Sequence, residues 1–436
     1  GSPFTQRQIF NSIVGYSTSN LLSLRSTLIQ YLASIITNEN IISDIPSLRV
    51  STAVLFKEAS AEQEAVNDIS VQIIKNTLQT LSDLRKKEEK DSLAPVINSY
   101  HLILDSFLEL LPINIFVHVF QNILLVSDNE KTRQQSVSLL RSKFELESAS
   151  DEDAKAAALT AFSVLVELVS QDLSKAIVQQ AFNSLEVVIL KLGNDFEPKQ
   201  LLKLLDLVVG TRGLLNDDVE IVVSSVSVIS SIFSVLGARA IGYFGKVIPV
   251  LFKKFEESLP KGDEEQDEET KENSELIQLA TFGLVAGLVK RIPAFMNSSL
   301  VSIFKLIFLS TVSVATRQTL IENVAGSMDA KAVLQALTET WTYAVKSGWS
   351  AIALHLDSVD NVVASSDRKT VSSQSANLVT FLLKSFEVRG LSEKYDQNTI
   401  HRIETRTIRT GIQIVMKLND KTFRPLFVRM VRWAIE

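Results

Sequence analysis

Apolar residues recur every three or four positions through nearly the whole chain, and that period suits helices and little else. In 151–171, Leu159, Phe162, Val166 and Val169 fall on one helical face, and in 172–192 the stripe is Val178, Ala181, Leu185, Val188 and Leu192. The next pair reads Leu201, Leu204, Leu205 and Val208 in 197–215, then Val222, Val226, Ile229 and Phe233 in 219–236. Helix starts are punctuated to match: Ser150 precedes Asp-Glu-Asp, Asp217 stands three before Glu220, and Pro198 opens a helix. With only 15 Gly and 9 Pro among 436 residues, long helices joined by short loops are favoured over a many-stranded sheet.

The starts near 151, 197 and 241 are spaced by about 45 residues, the period of a HEAT or armadillo unit. One helix pair cannot bury both of its faces, so each stacks on the next and the chain grows in one dimension. The expected fold is therefore all-α, an α-solenoid of HEAT/armadillo-like helical repeats. Four segments are expected: irregular N-terminal helical repeats over 1–150, regular repeats over 151–260, an acidic loop insertion over 261–274, and C-terminal repeats with a basic end over 275–436. Arg85–Asp91 reads as a solvated break between helices. Gly283 and Gly287, four apart, read as a site of close helix packing. Gly1-Ser2 reads as a cloning remnant, so a portion of a longer polypeptide is expected.

Composition narrows the function classes. The chain has no cysteine, which removes disulfides, thiolate catalysis and Cys-based zinc sites and fits a reducing compartment. The most apolar stretches are Ile221–Ala238, which carries six serines, and Val301–Ala315, which is short and contains Lys305, so both read as core helices rather than membrane spans. The four histidines, His101, His118, His355 and His401, lie in no metal-binding spacing, and His118 reads as a core or boundary residue. Neither a phosphate-binding Gly-rich loop nor a nucleophile elbow is found; Gly242-Tyr-Phe-Gly-Lys246 has the wrong spacing. A non-catalytic binding scaffold is expected, with no cofactor, metal, membrane or small-molecule substrate.

Charge is polarised along the chain. Residues 384–436 hold eleven Lys or Arg against six Asp or Glu, leaving 33 against 44 in the rest. In the helix expected from about Thr399 to Leu418, Ile400, Ile403, Thr407, Gly411, Ile414 and Leu418 share one face. Arg402, Arg406, Arg409, Gln413 and Lys417 form a stripe nearly opposite. Arg402, Arg406, Arg409 and Lys417 are the candidate contacts to RNA phosphates or an acidic partner, the alternative being an ordinary solvated face. No aromatic row interleaves with them, so base stacking is not indicated.

The run Lys417–Ala434 resembles a signature of the large HEAT-repeat subunit of the small-subunit processome, the U-three small nucleolar RNA-associated protein ten family (HEAT-repeat-containing protein one in animals). The match centres on Thr422, Phe423, Arg424, Pro425, Leu426 and Phe427, followed by Trp433-Ala434. Leu110–His118 with Thr132–Arg141, and Val289–Met296, are similar to the same family as generic repeat patterns. The resemblance implies a nucleolar scaffold of early ribosome assembly, in the subcomplex engaging the 5′ external spacer of pre-ribosomal RNA. Its implied partners are other processome proteins, with RNA-backbone contact left open, and it supplies no catalytic residues. The alternative is an importin-type nuclear transport receptor or another protein-binding scaffold of this architecture. Against an importin-α-like clamp, Trp341 and Trp349 are followed four later by Val345 and Ala353 rather than Asn. Physically, Phe423, Leu426, Phe427, Val431 and Trp433 supply apolar bulk, and Pro425 is expected to set a helix start. Part of that surface would be covered by a following repeat and exposed without one.

Overall fold

The computed structural model describes residues 74, 76–81, 111–126, 130–146, 152–171, 173–260, 267–391 and 395–435. The break at Arg85–Asp91 and the start expected at Ser150 lie outside them, as does much of 1–150. Every regular element among the described residues is helical. The chain divides into two compact units, Gly1–Glu197 and Pro198–Glu436.

In the first unit, α1 (Ile113–Val126) pairs with α2 (Glu130–Leu146), and α3 (Glu152–Ser170) pairs with α4 (Lys175–Leu192). α1 also lies against α3, and α2 against α4, so two hairpins stack into two layers. All five residues of the α4 stripe are buried, as the period requires. On α3 the contact face is turned slightly: Leu159 and Val166 are half-buried, and Ala157, Ala158, Ala161 and Leu165 do the close packing. His118 is exposed on α1, contrary to the expectation of a core or boundary position.

The second unit repeats the plan. Its first layer holds α5 (Pro198–Val209), α7 (Phe244–Glu257), α10 (Leu300–Leu309), α12 (Ala330–Ser347), α15 (Ser375–Phe386) and α17 (Asp420–Ile435). The second layer holds α6 (Val219–Leu236), α8 (Glu268–Arg291), α11 (Val314–Ser327), α13 (Trp349–Ser365) and α16 (Gln397–Lys417). Two short helices, α9 (Pro293–Met296) and α14 (Arg368–Ser373), fill connections. Neighbours within each layer touch in chain order, and consecutive members of the two layers pair. This is an α-solenoid, built from helix hairpins that each bury a face against the last.

Several local expectations shift. α6 starts at Val219, so its cap is Asp218, whose carboxylate accepts from the amides of Glu220 and Ile221; Asp217 is one residue too early. The acidic loop expected over 261–274 does not extend to 274, because α8 reaches back to Glu268. Asp267 caps the Thr270 amide at 2.8 Å, and Glu268 and Glu269 sit in the first turn, where the positive end of the helix dipole favours them. Gly283 and Gly287 have open space where a Cβ would stand, so they mark no close helix approach.

The serine-rich segment read as a core helix is α6. The run Val219–Glu257 is long and apolar enough to cross a membrane by length and composition, and 61% of its most apolar window is buried. Ser224 and Ser231 donate back to carbonyls four residues earlier, and Ser225 to one three earlier, which lets hydroxyls sit inside an apolar helix.

Candidate partner-binding surface

The basic end is built by α15, α16 and α17. On α16 the buried face is Ile400, Ile403, Thr407 and Ile414, with Gly411 and Leu418 half-buried, as the sequence period indicates. The cationic stripe lies next to this face and runs alongside α13. Arg406 Nη1 donates to the Ala353 carbonyl at 3.3 Å and to Asp357 Oδ2 at 3.1 Å. The guanidinium carbons of Arg402 and Arg406 stand 5.7 and 6.0 Å from the Trp349 ring centroid. Burial pushes the Asp360 carboxyl up, opposed by the Thr410 hydroxyl and by Arg409. Lys417 Nζ donates to the carbonyls of Ala364 and Ser366, each at 2.9 Å.

Arg406 and Lys417 thus direct donors inward, onto α13, while Arg402 and Arg409 remain exposed. The stripe is a ladder between parallel helices about one repeat apart, not a free cationic ridge. Its last rung recurs elsewhere. Lys191 at the end of α4 reaches the Glu145 carbonyl at 3.5 Å, and Arg291 at the end of α8 donates to the Ser234 carbonyl at 2.7 Å. In each case a last-turn cation meets the carbonyl end of the previous helix in its layer, where backbone acceptors lack helical partners.

The terminal run forms α17. Asn419 and Thr422 cap its start reciprocally, Thr422 N donating to Asn419 Oδ1 at 3.0 Å and Asn419 N to Thr422 Oγ1 at 3.2 Å. The helix therefore begins at Asp420, and Pro425, expected to set the start, lies inside it. Leu426 is buried, Phe423 is half-buried, and Trp433 meets Phe386 of α15 with ring centroids 5.7 Å apart. Arg424 and Pro425 are exposed.

Part of the terminal run's apolar bulk is exposed, as the sequence reading allowed for Phe427 and Val431; Val428, Ile435 and a stripe on α16 were not singled out from sequence. Phe427, Val428, Val431 and Ile435 follow helical spacing on the side of α17 away from Leu426, and Ile435 is 80% exposed. On α16, Ile408, Ile412 and Met416 form another uncovered stripe, spaced four apart, with Met416 70% exposed. The signal was available: both helices carry more apolar residues than one core face can hold. Lys421, Arg424 and Arg432 are exposed on α17, whose only acidic residue is Asp420. Among the described residues, no cluster of three His, Cys, Asp or Glu could hold a metal ion.

Stacked helix hairpins, internal cationic ladders and uncovered apolar stripes on α16 and α17 define a HEAT-type α-solenoid with the build of a binding scaffold. By sequence, the chain belongs to the family of U3 small nucleolar RNA-associated protein 10. It is 30% identical over 463 aligned residues to that protein of Scheffersomyces stipitis, covering 99% of this chain and 24% of the relative. It is 31% identical over 338 residues to that of Saccharomyces cerevisiae, covering 77% of this chain and 18% of the relative. The chain thus spans about a quarter or less of the relatives' length. The BP28CT (NUC211) domain matches residues 370–436, which hold α15, α16 and α17. Among solved structures, the karyopherin Kap121p bound to the SUMO protease Ulp1p is similar over 98% of this chain and 42% of its own, with TM-score 0.50 and 13% identity. A Kap121p mutant covers 95% of this chain and 41% of its own, with TM-score 0.51 and 11% identity. These likenesses concern the fold alone.

Proposed function

We propose that this chain is a non-catalytic scaffold segment in ribosome biogenesis, acting in the nucleus and nucleolus as part of a small-subunit processome component. The observation that carries the reading is sequence similarity along nearly the whole chain to a protein named for its association with U3 small nucleolar RNA. Its contacts are chiefly to proteins, through the uncovered faces of α16 and α17. Exposed apolar side chains rimmed by Lys421, Arg424 and Arg432 suit an apolar segment with acidic flanks. RNA-backbone contact falls to Arg402 and Arg409, since Arg406 and Lys417 are engaged with α13.

The test is a chimera in which this chain replaces the aligned segment of the Saccharomyces cerevisiae relative. The chimera is expected to support pre-ribosomal RNA processing and to co-precipitate U3 small nucleolar RNA. A stable, expressed chimera that does neither overturns the proposal. The likeness to karyopherins supports an importin-type reading less well, because it rests on architecture without sequence similarity.

A further inference from the structure

Arginine 317 is buried to 5% exposure on the first turns of α11. Its Nε has no hydrogen-bond partner, and among the described residues its side chain forms no ion pair. Arginine stays charged in proteins, so a guanidinium removed from water without a counter-charge is costly. Burial pulls its pKa down, which is the same cost expressed as proton affinity.

That side chain lines a cavity of about 500 Å³ where the ends of α10 and α12 meet the starts of α11 and α13. Leu259, Pro260, Ser310, Thr311, Lys346, Ser347 and Ser350 share the lining, and among the described residues no carboxylate does. The Gln278 side chain, fully buried on α8, fixes one wall. Its Oε1 accepts from the Ser310 hydroxyl at 2.7 Å and the Thr311 amide at 3.0 Å, and its Nε2 donates to Thr311 Oγ1 at 3.1 Å. α13 opens at Gly348, whose φ of +100° suits glycine and which offers no side chain to cap the first-turn amides. α11, α12, α14 and α16 are all capped by a Ser or Asp side chain.

We propose that this pocket binds a phosphate group carried on a small molecule, with Arg317 as the buried counter-charge and Ser347, Ser350 and the first-turn amides of α13 as donors. A compact dianion offers oxygens to several convergent donors at once, which matches a guanidinium fork beside a helix start. The volume lies in the range of small-ligand pockets. A nucleic-acid strand would instead call for successive cations and stacking aromatics, which this lining does not offer.

The test uses the purified chain, with inorganic phosphate and ribose 5-phosphate titrated at constant ionic strength and binding read by calorimetry and by the melting temperature. Saturable binding to either, at least tenfold weaker in Arg317→Met and in Ser350→Ala, is the expected result. With no phosphate present, Arg317→Met should melt no lower than the parent, because it removes an unpaired buried charge. A clear drop would mean that the guanidinium is a structural group satisfied within the fold, and would overturn the proposal. So would phosphate binding of equal strength in parent and Arg317→Met, or Arg317-dependent binding of a single-stranded RNA oligomer with none of either phosphate probe.

Discussion

Arg406 and Asp357 lie 49 residues apart in sequence and 3.1 Å apart in space, joining equivalent helices of successive repeats. The Ala353 carbonyl accepts from the same Arg406 nitrogen, so the guanidinium ties the middle of α13 to α16. Both side chains keep substantial solvent contact, so the ion pair alone is worth about 1 kcal/mol or less. Charge reversal in Arg406→Glu puts a carboxylate opposite Asp357 and should destabilise the α13–α16 contact by about 1–2 kcal/mol. Hydrogen exchange of α13 amides would report it. Combining Arg406→Glu with Asp357→Arg should return part of the loss; equal protection in all three proteins would show the pair to be inert.

Gly213 sets the turn between α5 and α6. A Cβ built there would stand 2.1 Å from the Val208 carbonyl oxygen and 3.1 Å from Ser225 Cβ. The adjacent Leu214 amide donates to that same carbonyl at 2.7 Å, so the oxygen cannot move aside without losing its bond. Gly213→Ala should therefore cost about 3 kcal/mol and lower the melting temperature clearly. Gly242→Ala, where a Cβ meets open space, is the matched control and should change little.

The helical faces of α4, α5, α6 and α16 were legible because burial on one side leaves a period that survives sequence drift. What lay on the other sides was not. The partners of Arg406 and Lys417 sit on α13, about fifty residues earlier, and a single-helix projection says nothing of which neighbour a stripe meets. Arg317 carried no local mark either, since its burial depends on four helix ends converging. One local signal was readable and went unused: Asp267, Ser313, Asp367, Asp396 and Asn419 each stand three residues before a Thr, and each caps the helix that follows.

Those caps and His355 divide the pH response between them. Bonds from Thr270, Thr370 and Thr399 hold the carboxyls of Asp267, Asp367 and Asp396 below their ordinary range. Their stabilising contribution is present above the unfolded carboxylate pKa and is lost as pH falls through the lowered folded values. His355 acts at higher pH. It is fully buried, its Nε2 donates to the Leu337 carbonyl at 2.7 Å, and its ring lies 4.8 Å from Phe308 and 5.4 Å from both Trp341 and Phe381. Desolvation pushes its pKa down to about 4 from an unfolded value near 6.5. Between those values the unfolded chain binds the extra proton, so stability should fall with falling pH, by about 2 kcal/mol between pH 7 and pH 5. Urea midpoints at the two pH values test this, and His355→Leu should flatten most of the difference. An unchanged slope in that variant would assign the response elsewhere.

α17 is apolar on two faces, and only one of them is covered. Leu426 and Phe423 turn toward the fold and Trp433 meets Phe386 while staying partly exposed, whereas Phe427, Val428, Val431 and Ile435 are exposed. Uncovered apolar surface of this kind is a place where another macromolecule, or a second copy, loses water. Because Phe427 and Ile435 keep most of their surface in solvent, at 55% and 80% exposure, Phe427→Glu with Ile435→Glu should leave the melting temperature within about 1–2 °C of the parent. Leu426→Ala, on the covered face, should instead lower stability by about 2–3 kcal/mol through lost burial and a cavity. The double Glu variant should also abolish concentration-dependent association of the purified chain, measured by sedimentation velocity, and weaken capture of protein partners by the chimera. If both processes persist unchanged with this face charged, the contacts that hold this segment in an assembly lie elsewhere on the solenoid.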